Sequence, residues 1–213
     1  MTAAHPDARF WDRFARRYAA ASIRDTAGYE RTLARTSELI RGMASVLEIG
    51  CGTGTTALRM AGGVQHLLAT DIAPQMIAIA REKVAAQGCS NVAFEVAAPD
   101  AITAPDGGFD AILAFNVLHL LRDDAATLAH LHTLLKPGGL LISKTPCLVE
   151  LNLFIRLAIP VMRRIGLAPY VRVQDAATLE SRIAAAGFTI IEQARHGSTG
   201  KDFRTFLVAR RPA

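Results

Sequence analysis

The stretch Ser45-Val46-Leu47-Glu48-Ile49-Gly50-Cys51-Gly52-Thr53-Gly54 decides how the chain is read. Its first five residues are a short apolar run, broken only by Glu48, that closes on glycines at alternate positions. Such a run reads as a buried strand, and Thr53 to Gly62 reads as a helix opening on the Gly/Thr turn. Glycines here let the backbone turn sharply and approach a ligand with no Cβ in the way. The helix that follows presents free N–H groups to whatever is bound.

Working outward, the same alternation repeats. His66 to Thr70 is a second apolar run ending at Asp71, and Pro74 stands where a first-turn proline belongs, opening a helix that stops near Gly88. Val92 to Ala97 reads as a third strand. Phe109 to Phe115 reads as a fourth, approached by the turn Pro105-Asp106-Gly107-Gly108. A helix from about Asp123 to Leu135 should end abruptly at Lys136-Pro137-Gly138-Gly139, with Leu140 to Lys144 as the fifth strand. Gln174-Asp175 caps a further helix ending at Gly187. Phe188 to Ala194 and Phe203 to Arg210 are the last two strands, joined through the hairpin-like His196 to Lys201. Near-continuous apolar strands alternating with helices predict an α/β fold: a mostly parallel sheet covered on both faces, with an antiparallel strand at its edge. Ligands in such sheets bind at the carboxyl ends of the strands.

Composition agrees with one such domain over 1–213. The chain is 51% hydrophobic and 20% charged, with net charge +5, and a chain of this length buries about 70% of its unfolded surface without disulfides or a structural metal. Disorder is excluded. No run free of Asp, Glu, Lys and Arg exceeds eleven residues, against the roughly 18 needed to span a bilayer. The three cysteines, Cys51, Cys89 and Cys147, lack metal-type spacing, so no metal is expected, and the charged first twenty residues do not read as a signal peptide. A cytoplasmic location is the expectation. The positive charge is mostly scattered arginine, which reads as solvated surface more readily than as a nucleic-acid footprint.

Asp71 ends the second strand about twenty residues after the first glycine, where nucleoside-binding sheets place the carboxylate that grips ribose hydroxyls. The alternative is a tight turn plus a surface aspartate. A nicotinamide site would show G-x-G-x-x-G, but Thr55 stands at the third glycine. The chain resembles instead the class I S-adenosylmethionine-dependent methyltransferases, whose first motif is V-L-E-I-G-C-G-T-G in almost these letters. The resemblance extends over about Ser45 to Arg210 and includes Thr70-Asp71-Ile72-Ala73-Pro74-Gln75-Met76, Phe109-Asp110, Asn116-Val117-Leu118-His119 and Leu135-Lys136-Pro137-Gly138-Gly139.

This resemblance implies a doubly wound, Rossmann-like sheet of seven strands in the order 3-2-1-4-5-7-6 with the last antiparallel. It implies S-adenosylmethionine as cofactor and S-adenosylhomocysteine as product. By that resemblance the backbone at Gly50, Cys51, Gly52 and Gly54 approaches the methionyl and ribose part, and Glu48 orients the loop. Asp71 accepts from the ribose hydroxyls, Ile72 and Met76 pack on the adenine, and Asn116 lies beside the sulfonium. The family places an aspartate against the adenine amino group where this chain has Ala98, so Asp100, or the backbone around Ala98 and Pro99, takes that role. The stretch Phe10 to Ala19 resembles the F-x-x-x-A-x-x-Y segment of quinone-biosynthesis and other small-molecule methyltransferases, which makes Tyr18 a cofactor contact; a plain aromatic packing stripe is the other reading.

Methyl transfer is an in-line displacement on an activated carbon, so a protein supplies orientation, water exclusion and sometimes a base. The chain lacks the Asn/Asp-Pro-Pro-Tyr/Phe run of the amino methyltransferases that act on nucleic-acid bases or amides. His119 is the candidate catalytic base, against a structural histidine. His130 and His132 read as packing or surface residues, and His196 or Lys201 as a substrate contact or a solvated hairpin. Cys51 reads as a small residue, not a nucleophile.

Residues 1–44 should form a helical cover, 45–146 the cofactor-binding core, 147–172 a lid insert, and 173–213 a helix and strand hairpin. In the insert, Leu151, Phe154, Ile155, Ala158, Met162 and Ile165 recur at helical spacing beside Asn152, Arg156 and Arg163, and Pro160 should divide it into two short helices. It reads as a pocket lid, a dimer or packing contact, or a peripheral membrane contact through 148–172. The expectation is a methyltransferase for a small apolar or amphipathic molecule, monomeric or homodimeric, with no nucleic-acid partner. The alternatives are a nucleic-acid methyltransferase and a non-catalytic adenosylmethionine-binding module.

Overall fold

The computed structural model describes residues 7–150, 153–198 and 202–213, with side chains outside 153–157. Two helices, α1 (Ala8–Ala20) and α2 (Thr26–Ile40), precede β1 (Ser45–Ile49). Then come α3 (Thr55–Met60), β2 (His66–Asp71), α4 (Pro74–Gln87), β3 (Val92–Val96), β4 (Phe109–Phe115) and α5 (Asp124–Leu134). The chain ends with β5 (Leu135–Pro146), α6 (Leu153–Arg164), α7 (Ala176–Ala185), β6 (Thr189–Ala194) and β7 (Arg204–Arg210). The seven strands form one sheet in the order β3-β2-β1-β4-β5-β7-β6, parallel except that β7 runs antiparallel to both β5 and β6. Among the described residues no helix is long and apolar enough to cross a membrane.

Successive side chains of a strand face opposite sides, and here both sides are apolar. Val46, Leu67, Leu113, Ile142 and Phe206 pack beneath α2, α3 and α4 through Leu33, Ile40, Met60, Ile77 and Ala80. Leu47, Ile49, Ile112, Leu141 and Leu207 pack beneath α5 and α7 through Leu128, Leu131, Leu179 and Ile183. Burying each such side chain contributes about 1.5–3 kcal/mol, which is why β1 and β4, covered on both faces, form the centre. Helix starts follow local chemistry. Asp25, Asp123 and Asp175 each accept a backbone N–H three residues on, and Pro74 opens α4 while Gly88, left-handed at φ 63°, closes it.

Three elements depart from expectation. Strand β5 begins at Leu135, not Leu140, because Leu135 already pairs with Phe109 before an irregularity over the Pro-Gly-Gly turn. Gly139 accepts from the Arg211 N–H, and the Gly138 N–H donates to the Arg211 carbonyl, so the turn is stitched into the sheet. Helix α6 runs through Pro160 as one helix, since a proline removes a single ladder bond and this turn is exposed. Helix α3 is shorter than Thr53 to Gly62, its last residues tightening into a 3₁₀ turn at Ala61–Gly63.

Candidate active site

A cavity of about 480 Å³ opens at the carboxyl ends of the central strands, where β1 separates β2 from β4. It is lined by Gly50 and Gly52 after β1, Asp71 and Ile72 at the end of β2, Ala97, Pro99 and Asp100 after β3, and Phe115 to Val117 with His119 after β4. Met76 of α4 and Trp11 and Tyr18 of α1 complete the near wall.

The glycine loop is held from two sides. The Asp71 carboxylate accepts from the Gly52 N–H at 2.9 Å and the Ala73 N–H at 2.9 Å. Lys83 of α4 donates to the hydroxyls of Thr53 and Thr55 at 3.0 and 2.9 Å. A Cβ on Gly52 would meet only the edge of the Tyr18 ring, at 3.6 Å, whereas one on Gly54 would collide with Phe94 at 2.6 Å and Ala80 at 2.8 Å. Gly52 therefore leaves a cradle open to a ligand, and Gly54 seats the loop against α4 and β3. Gly54 does not line the cavity, nor does Cys51, which is buried in the core beneath the loop. Burial first, then the Glu48 and Asp71 carboxylates, holds the Cys51 thiol well above its usual range.

Glu48 lies under the loop, 2% exposed, and its Oε2 atom has no hydrogen-bond partner. Burial, and then the nearby Asp71 carboxylate, pushes its pKa up to about 8. Burial also raises the pKa of Asp71, against the two backbone N–H groups it accepts from. Asp71 lines the cavity, whereas Glu48 does not and lies buried near Asp71. Neither acid has an ion-pair partner among the described residues, so negative charge on this side of the cavity favours a cationic ligand.

Asn116 follows β4 at φ 54°, the one non-glycine positive φ among the described residues, a strained conformation of the kind found where a scaffold aims a group into a site. Its N–H donates to the Lys144 carbonyl at 2.8 Å. His119 is 9% exposed with an unpartnered Nδ1, and burial lowers its pKa to about 4. The expected titration near neutrality is thus displaced, and the imidazole stands neutral at the cavity wall.

Of the adenine-side candidates, Pro99 and Asp100 line the cavity and Ala98 does not. His196 is also outside it: its Nδ1 shares a hydrogen bond with Thr32 at 3.0 Å and its ring packs on Phe206. Lys201, Leu151 and Asn152 lie outside the described residues. His130 bonds the Ile102 carbonyl at 2.9 Å and His132 packs edge-on against Phe188, both away from the cavity.

Sequence reasoning named no residue of the far wall, though Tyr170 falls within the 147–172 segment expected as a lid. Arg122, Leu121, Pro146 and Tyr170 also line the cavity. The Arg172 N–H donates to the His119 carbonyl, and its guanidinium pairs with Asp124 and donates to the Arg122 carbonyl, so the chain leaving α6 is pinned across the site. Helix α1 closes the other side. Asp12 accepts from the Gln75 N–H at 2.8 Å, Asp7 pairs with Arg122 at 2.7 Å, and Arg13 donates to the Gly166 carbonyl at 2.5 Å. Only the aromatic stripe of α1 carried a signal for this, since ion pairs between distant segments leave no local pattern.

Comparison with known proteins agrees with this geometry. Residues 46–139 match a family described as a methyltransferase domain. A ubiquinone/menaquinone biosynthesis C-methyltransferase, UbiE, of Marinomonas sp. (strain MWYL1) is 35% identical over 107 residues, covering 48% of this chain and 43% of that one. The match thus spans less than half the length of that relative. A chain from the complex of the Haloferax volcanii Trm112 methyltransferase activator with a methyltransferase superposes with a TM-score of 0.79 at 18% identity, covering 97% of this chain and 98% of that one. The N-methyltransferase NodS from Bradyrhizobium japonicum WM9, in complex with S-adenosylhomocysteine, gives 0.71 at 20% identity, covering 95% and 99%. At those identities the structural likeness speaks for the fold. Through its matched residues and its seven-stranded sheet, the chain is similar to the class I S-adenosylmethionine-dependent methyltransferases, the quinone-biosynthesis enzymes among them.

Proposed function

We propose that this protein transfers a methyl group from S-adenosylmethionine to a small apolar or amphipathic acceptor. The observation that carries this reading is a pair of acids with no cation paired to either, Asp71 on the cavity wall and Glu48 buried behind it, beside an open glycine cradle. A dinucleotide would bring an anionic pyrophosphate to two carboxyls. S-adenosylmethionine carries a sulfonium, which activates its methyl group, and an ammonium, so its charge complements these acids.

In this reading the free lone pairs of Asp71 accept from the ribose hydroxyls while its N–H bonds hold the loop. Glu48 offers its unpartnered oxygen to the ammonium, and Ile72 and Met76 form the apolar wall for the adenine, with Pro99 and Asp100 at its rim. Tyr18 and Trp11 close the site against water. Asn116 and neutral His119 face the reacting end, His119 as a hydrogen-bond partner that orients the acceptor. The apolar share of the far wall, Phe115, Leu120, Leu121 and Pro146, supports an acceptor with an apolar body.

Calorimetry with S-adenosylhomocysteine on the wild type and Asp71→Ala tests the reading. Two charge-assisted hydrogen bonds at about 1.5 kcal/mol or more each predict roughly a hundredfold loss of affinity. Unchanged affinity in a folded variant sinks the ribose assignment. An acceptor screen that follows S-adenosylhomocysteine release then separates an enzyme from a binding module, which would bind without turnover.

A further inference from the structure

A second cavity, about 740 Å³, adjoins the first and shares Asp7, Arg122, Pro169 and Tyr170 with it. Its walls bring five arginines together, Arg9 and Arg13 from α1, Arg122, and Arg163 and Arg164 from the end of α6, against one carboxylate, Asp7. Asp7 pairs with Arg122. No carboxylate among the described residues lies within ion-pair distance of the other four.

Three of the five guanidiniums, those of Arg13, Arg122 and Arg163, are also held in place. Arg13 lies over the Phe14 ring at 5.0 Å while donating to the Gly166 carbonyl. Arg122 and Arg163 lie over the same Tyr170 ring, at 5.1 and 4.8 Å. Two like charges on one ring, with a carboxylate paired to Arg122 alone, are a local excess of positive potential that an anion relieves. Planar guanidiniums fixed by aromatic faces are suited to phosphate or carboxylate oxygens. Exposed as these arginines are, their convergence on the mouth of a chamber sets them apart from arginines scattered over the surface.

We propose that this vestibule is a subsite for the anionic group, a phosphate or a carboxylate, of an amphiphilic methyl acceptor whose apolar part runs into the chamber. The inference rests on the chamber being the methyl-transfer site. Val161 (63% exposed), Ile165 (62%) and Leu167 (56%) stand beside the arginines, so the same anion presented at a lipid surface would meet apolar side chains there. The anionic headgroup is common to a dissolved amphiphile and to one held in a bilayer.

The single tryptophan, Trp11, lines the chamber, so its fluorescence reports occupancy without any methyl transfer. The protein is titrated with dodecyl phosphate below its micelle concentration, with dodecanol and dodecyltrimethylammonium as neutral and cationic counterparts. Saturable binding is expected for dodecyl phosphate, weakened about tenfold or more in Arg163→Ala/Arg164→Ala by the loss of charge-assisted contacts and largely restored in Arg163→Lys/Arg164→Lys. A flotation arm uses phosphatidylglycerol against phosphatidylcholine vesicles. Capture by the anionic vesicles alone, lost in the alanine variant, upholds the subsite with the bilayer as the source of the anion. Equal binding of all three dodecyl compounds, alanine variants that bind as the wild type does, or no binding to either anionic probe overturns it. Calorimetry with S-adenosylhomocysteine on the same variants should show unchanged affinity. Loss of cofactor binding in the wild type itself would instead count against the function proposed above.

Discussion

At the scale of single residues, Glu48 joins sequence, stability and ligand chemistry. It was legible as an acid two places before the first glycine, but its burial was not, because nothing local distinguishes a strand glutamate that faces the core from one that faces water. In the folded protein its pKa is about 8 against an ordinary 4.5. Below pH 4.5 both folded and unfolded chains hold the proton. Between 4.5 and 8 only the folded chain does, so stability is fully present at the acid end, falls as pH rises through this window, and levels off above it. Glu48→Gln removes the titration, and the empty variant should be more stable than the wild type at pH 8 by on the order of 2–4 kcal/mol, with little difference at pH 4. Urea unfolding at the two pH values measures this, and parallel stability profiles would show that Glu48 is not the titrating group. The same variant should bind S-adenosylhomocysteine more weakly, because an amide cannot give up a proton to meet the ammonium as a carboxylate does.

At the scale of elements, the segments from β1 to β4 were legible because each is a continuous apolar run bounded by glycine, proline or aspartate. Helix α2 was legible only as part of the helical cover expected over 1–44 and not in its bounds, since the face it buries is Gly28, Thr32 and Thr36 together with Leu33 and Ile40, and threonine in a helix carries no apolar period. The start of β5 was hidden for the opposite reason: Pro-Gly-Gly is read as a terminator, whereas here it bulges within a strand whose partners lie far away in sequence. The glycine loop shows how two similar letters do different work. Gly52 and Gly54 both have left-handed backbones, φ 55° and 75°, so alanine at either costs about 1 kcal/mol or more. Gly54→Ala adds overpacking against Phe94 and Ala80, for a total of about 2–4 kcal/mol, or roughly 5–15 °C in Tm. Gly52→Ala should cost only a few degrees yet lower cofactor affinity about tenfold or more, because its Cβ enters the open cradle. Thermal melts and calorimetry on the pair should therefore rank them in opposite order, and a common ranking would refute the division of roles.

At the scale of the whole molecule, a rigid sheet carries the floor of the chamber and two weaker elements close it. The N-terminal helix α1 buries fully only Ala8 and Ala15, while the central strands are almost wholly inaccessible. Its attachment is one small apolar cluster, Ala15 and Trp11 against Ala73, Met76 and Ile79, and a few polar ties: Asp12 to the Gln75 N–H, Asp7 to Arg122, Arg13 to the Gly166 carbonyl. Exposed ties of this kind contribute about 1 kcal/mol or less each, so α1 is among the first elements to open locally. Because Trp11 and Tyr18 line the chamber, a ligand there gains contacts available only when α1 is docked, and binding is linked to docking. Trypsin should accordingly cut the empty protein first after Arg9, Arg13, Arg16 and Arg17, leaving the β1–β4 region intact. At a hundred times its dissociation constant, S-adenosylhomocysteine should slow those cuts by up to about a hundredfold. Mass spectrometry of the early fragments reads both. If α1 is cut equally fast with and without the ligand while the ligand is shown by calorimetry to be bound, then α1 does not close over the cofactor, and Trp11 and Tyr18 serve packing alone.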